Sequence, residues 1–133
     1  MLDTNVLSEL RKPRPDPSVE RWFGTTQETS LFVSVLTFGE VRRGIERLRQ
    51  RDPTQASVFE TWLGELETAF SARVLDVDVT VAQAWGRIGA EGPIPAVDGL
   101  LAATALVHGL VVVSRDTRPY ERIGVAWLDP WSA

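Results

Sequence analysis

The feature that most restricts the fold is a repeated pairing of a short apolar segment with a helix-length stretch behind it. Leu31-Phe32-Val33-Ser34-Val35 is β-branched, aromatic or apolar almost throughout and does not alternate, as a strand buried on both faces reads. Behind it, Phe38, Val41, Ile45 and Leu48 fall three, four and three apart, which predicts a helix with one apolar stripe. The same order recurs along the chain. Met1-Leu2 reads as the end of a short strand, followed by a helix from Val6 to Lys12 that Pro13 and Pro15 stop. Pro17 to Phe23 predicts a second short helix closed by Gly24, and Pro53 opens a helix whose apolar positions are Val58, Phe59, Trp62, Leu63, Leu66 and Phe70. Arg73 to Val77 predicts a strand, and a helix carrying Val81, Trp85 and Ile88 follows, ending near Gly89 to Pro93. A helix over Val97 to His108 ends at Gly109, Leu110 to Val113 is the strongest strand, and Val125 to Leu128 the last. Strands joined by whole helices are parallel neighbours rather than hairpins. The expected fold is α/β: one domain over residues 1–133, with a central, mostly parallel sheet flanked by helices on both sides.

In an open parallel sheet, ligands bind beyond the carboxyl ends of the strands. Asp3 directly follows the first apolar residues, Glu40 lies in the first turn behind Leu31–Val35, and Asp116 sits in the turn after Val111-Val112-Val113. Asp98 opens the helix Val97–His108 and can face the same edge. Taken singly, Asp98 is an ordinary helix-start residue, Asp116 a turn residue and Glu40 a first-turn glutamate. Asp3 needs more reason, because a carboxylate ending a buried strand is costly. Taken together, the four repel: two unit charges ~5 Å apart interact by roughly 3 kcal/mol at an effective dielectric of ~20. A hard divalent cation such as Mg²⁺ or Mn²⁺ relieves that repulsion through oxygen ligands, and a water bound to it can attack a phosphodiester. The helix dipole at Asp98 is expected to favour its ionised form.

Composition narrows the alternatives. There are no cysteines and a single histidine, His108, so thiolate zinc sites, disulfides and histidine-based triads are excluded. The ten glycines are scattered and form no phosphate-binding loop. No apolar run approaches the ~20 residues of a membrane span, and no leader precedes the first motif, so a cytoplasmic protein is expected. The net charge of −4 looks wrong for a nucleic-acid binder, but its distribution does not. From Phe38 to Arg51 five arginines face only Glu40 and Glu46, and only one of the chain's 14 basic residues is lysine. Arginine is the better fork for phosphate oxygens. Phosphotransfer chemistry fits poorly: Asn5 stands where a dehalogenase-type Asp-x-Asp needs its second acid, and the only lysine, Lys12, is too early for a receiver domain.

Four stretches resemble the motifs of the PIN-domain family, in order: Leu2-Asp3-Thr4-Asn5-Val6-Leu7-Ser8-Glu9, Val33 to Ile45 around Glu40, Ala96-Val97-Asp98-Gly99 to Ala105, and Val113-Ser114-Arg115-Asp116-Thr117 to Tyr120. The match covers nearly the whole chain and is most similar to the VapC-type toxins of bacterial toxin–antitoxin pairs. The resemblance implies a Mg²⁺-dependent endoribonuclease, Mn²⁺ serving as well. It implies Asp3 and Asp98 as the most direct metal ligands, with Glu40 and Asp116 completing the pocket. Thr4 and Asn5 would orient Asp3, and Ser114 or Thr117 would place water or phosphate. It also implies an RNA substrate and a homodimer. Its inhibitor would be a small VapB-type antitoxin that binds operator DNA and builds a higher assembly with the toxin. Many members carry asparagine where Asp116 stands and an aspartate three residues on, where this chain has Pro119. The competing expectation is a catalytically weak PIN-like module that only binds RNA or protein.

Overall fold

The computed structural model describes residues 1–133. Seven α-helices and four two-residue strands follow in the order α1 (Thr4–Arg11), α2 (Pro17–Thr25), β1 (Val33–Ser34), α3 (Val35–Arg49), α4 (Pro53–Ala69), β2 (Val74–Leu75), α5 (Val79–Gly89), α6 (Ala96–His108), β3 (Val112–Val113), α7 (Arg118–Ile123) and β4 (Trp127–Leu128). A single 3₁₀ turn, Glu28–Ser30, precedes β1. No helix is long and apolar enough to cross a membrane.

β1 pairs in parallel with β2, and β3 with β4. The N-terminal residues join the two pairs. Leu2 N–H donates to the Phe32 carbonyl at 2.8 Å, while Val113 N–H donates to the Met1 carbonyl at 2.8 Å and Asp3 N–H to the Val113 carbonyl at 2.9 Å. Leu2 bridges Val113 in parallel. The spatial order is thus β2, β1, Met1–Leu2, β3, β4, and the chain winds outward in both directions from its own start. That reversal, between Met1–Leu2 and β3, is where such sheets leave a crevice.

Side-chain alternation divides the interior into two layers, as a period of two requires. Met1 and Val112 join Leu101, Ala102, Ala105, Tyr120 and Val125 on one face. Leu2 and Val113 join Val6, Leu7, Leu31, Val33 and Phe70 on the other. α3 packs along α4 through Val41, Ile45, Ala56 and Leu63, and α5 packs on α6 through Val81, Ala84 and Ala103.

The elements fall where the sequence puts them, but the strands are shorter than expected. β1 ends at Ser34, because the Ser34 hydroxyl accepts the Leu36 N–H at 3.1 Å and caps α3, so Val35 is already helical. Asp3 likewise ends the first strand and caps α1, starting that helix at Thr4 rather than Val6. β2 keeps only Val74–Leu75 of its expected span, and β3 and β4 keep only the last two residues of theirs. Gly24 does not close α2, which continues to Thr25. Arg118–Ile123 is a helix the periodicity did not reveal: six residues are too few to show a stripe. Pro119 sits in its first turn, where a missing N–H is harmless. Trp127 is exposed, whereas Trp131 packs against the Leu2 layer.

Candidate active site

The crevice at the reversal point collects the polar residues of four segments. Asp3 leaves the sheet with its backbone pinned to Val113, and its carboxylate is held on both oxygens. Oδ1 accepts the Thr4 N–H at 2.8 Å, and Oδ2 accepts the Ser114 hydroxyl at 2.8 Å and the Tyr120 phenol at 3.3 Å. Ser114, fully buried just past β3, accepts the Asn5 side-chain amide at 3.1 Å and the Asp116 N–H at 3.2 Å. With both lone pairs engaged, its one proton is directed at Asp3. Asn5 closes the ring by accepting the Arg115 N–H at 3.3 Å. The loop after β3 is therefore tied to the start of α1 entirely by groups from the two motifs. Thr4 reaches the other way: its hydroxyl donates to Glu40 Oε1 at 2.9 Å, fastening α3 to the same corner. Because α3 already begins at Val35, Glu40 stands in its second turn rather than in the first turn expected from the sequence.

Asp98 lies in the first turn of α6, and its carboxylate takes no part in capping, since Pro95 is the N-cap and makes no side-chain bond. Burial raises its pKa above the ordinary aspartate value, and the charges of Asp3 and Asp116 raise it further. The direction is opposite to that expected from the helix dipole, because burial and like charge outweigh it. Burial also raises Glu40. The Thr4 hydrogen bond and Arg43 oppose the shift, while Asp3 and Asp98 add to it. Burial pushes the Tyr120 phenol far up, reinforced by the charges of Asp3, Asp98 and Glu40, so it stays a donor at any physiological pH.

Asp116 stands apart. Its backbone joins the network, but its exposed carboxylate takes both Arg118 Nε at 3.0 Å and Nη2 at 3.3 Å, and this pairing holds its pKa below the usual range. Thr117 also faces elsewhere, its hydroxyl donating to Glu121 at 2.8 Å. Asp3, Glu40 and Asp98 thus repel one another across one crevice, with Asp116 at its rim. No three acidic side chains converge tightly enough to enclose an ion between them. The donor set nevertheless suits a hard cation that keeps much of its water: every donor is oxygen, and Mg²⁺ is commonly held by only one or two carboxylates. Tyr120 is the residue that motif reading did not single out. Its place in a six-residue helix conceals it, and only the turn of α7 brings the phenol under Asp3.

Known proteins share this arrangement of chain. The PIN domain family model matches residues 1–125. VapC ribonuclease Y4jK of Sinorhizobium fredii is 34% identical over 137 residues, covering 98% of this chain and 96% of its own. Toxin FitB of Neisseria gonorrhoeae is 32% identical over 136 residues, covering 98% and 97%. The crystal structure of FitAcB from that organism superposes with a TM-score of 0.90 at 32% identity over 99% of this chain and 98% of that one. A DNA-bound VapBC from Salmonella typhimurium superposes with a TM-score of 0.71 at 31% identity, covering 98% and 96%.

Proposed function

The chain belongs to the PIN-domain family, and we propose that it is a divalent-metal-dependent endoribonuclease, the toxin of a VapBC-type pair. The observation that carries this reading is the crevice itself: three partly buried carboxylates from three segments, two with raised pKa values, and a fourth at the rim. Burying like charges together is destabilising unless a cation joins them. When bound, Mg²⁺ or Mn²⁺ would supply an activated water and charge neutralisation at the phosphate.

The chain's own residues divide the remaining work. Asp3 and Asp98 hold the ion. Ser114 and Tyr120 fix the rotamer of Asp3, and Asn5 fixes Ser114. Thr4 aims Glu40 inward. Asp116, tied to Arg118, orients outer water or phosphate at the rim. The relatives are named as a ribonuclease and a toxin, and one similar structure is an assembly on DNA. These names support RNA as the substrate and a DNA-binding antitoxin as the partner; a homodimer acting in the cytoplasm belongs to the same proposal.

The test is cleavage of single-stranded RNA by the purified protein. Cleavage is expected with Mg²⁺ or Mn²⁺, abolished by EDTA and reduced by at least about 100-fold in Asp98→Asn. RNA binding without cleavage under any metal would favour the module that only binds.

A further inference from the structure

A cleft of about 380 Å³ runs outward from the acidic crevice between α1, α3 and α4, with Thr4 and Glu40 at one end and Arg11, Arg51, Phe59 and Trp62 along it. Its size is that of a small-ligand site. The arginines around it divide into two groups. Arg42 and Arg49 are neutralised by Glu46 and Glu60 in an exposed network on the outer face of the α3–α4 pair. Arg11 and Arg51 line the cleft and form no ion pair. Arg11 is also held flat, its guanidinium 3.9 Å from the Phe59 ring centroid and 5.7 Å from that of Trp62. A guanidinium fixed this way keeps its edge donors for phosphate oxygens and its plane for a base.

We propose that this cleft is the bed for the single-stranded RNA leading up to the scissile bond, with Arg11 stacking a base and Arg51 and the edge of Arg11 taking backbone phosphates. Charge favours RNA over a peptide. The cleft joins unpaired cations to an acidic end, as a polyanion with one metal-bound phosphate requires, while its apolar lining is interrupted by Thr4, Ser8, Glu40 and both arginines. The assignment deepens the nuclease reading by naming where the strand lies, and its test separates the two.

Arg11→Gln, Arg51→Gln and their double variant are compared with Arg47→Gln, an exposed arginine of α3 outside the cleft. Anisotropy of a labelled short RNA in EDTA reads binding without cleavage, and steady-state assays in Mn²⁺ read KM and kcat. The double variant is expected to bind about tenfold more weakly, with KM raised as much and kcat kept. Its salt dependence should be shallower by about 0.7 in slope for each phosphate that the protein no longer neutralises. Thermal melting confirms that the variants fold. If the parent binds RNA through this cleft yet never cleaves, the nuclease reading fails and the RNA bed stands. Unchanged affinity and KM in the double variant overturn the bed. An equal loss in Arg47→Gln overturns it as well, by assigning the effect to diffuse charge, as does loss of antitoxin binding with RNA affinity intact.

Discussion

Asp3 is at once the last residue of a strand, the cap of a helix and an acceptor for two buried hydroxyls. Those three duties explain why a carboxylate stands where the chain would otherwise be burying apolar surface, and they make its neighbours sensitive. In Tyr120→Phe the ring still fills the space beneath the sheet, but Asp3 keeps only the Ser114 hydroxyl on Oδ2. Stability is expected to fall by about 1 kcal/mol in urea denaturation. The half-saturating Mn²⁺ concentration for cleavage should rise severalfold, whereas an unchanged metal requirement would show that the phenol serves packing alone. Asp3 and Glu40 could be picked out of the sequence because each follows an apolar run at the same edge, and Asp98 because it opens a helix that can face that edge. The partner each side chain chooses could not. Arg118 lies two residues from Asp116 and captures it, and Thr117 turns to Glu121; no spacing rule decides between these contacts and the crevice.

At the level of elements, the helices were legible and the strands only as positions. Helices of 11 to 17 residues, such as α3, α4, α5 and α6, repeat their apolar stripe often enough to be read. The strands shrink to two residues because polar caps, Asp3 and Ser34, convert their ends into helix starts. This brevity brings the starts of α1 and α3 up to the sheet edge, which is how Thr4, in the first turn of α1, and Glu40, in the second turn of α3, come within 2.9 Å. The exit of α6 depends on Gly109, at φ 63°, and the next strand begins within three residues of it. Gly109→Ala should therefore cost about 1 kcal/mol in denaturation by urea, with the cleavage rate of the folded fraction unaffected. The α7 helix escaped the sequence because it is short and carries a proline in its first turn, and with it went Tyr120.

For the whole molecule, the crevice sets stability against function. A carboxylate with a raised folded pKa binds protons more tightly in the folded state. Stability without metal therefore falls as pH rises from the ordinary carboxylate range through the raised values of Glu40 and Asp98. Replacing Asp98 by asparagine removes that repulsion. The metal-free variant should melt about 2 °C higher than the parent at neutral pH, the gain being small because solvent screens a half-buried group. The difference should vanish as pH falls below the unfolded aspartate range, where Asp98 is neutral in both states; a difference that persists there would have another origin. The sheet order that begins in its own centre explains why residues as distant in sequence as Asp3 and Ser114 share one hydrogen bond.

The central claim is that Asp3 and Asp98 hold one hard cation, and calorimetric titration with Mn²⁺ tests it without any substrate. The parent should bind saturably, and Asp3→Asn and Asp98→Asn, both folded, should each bind at least about tenfold more weakly. Mn²⁺ affinity unchanged in either variant would contradict the account.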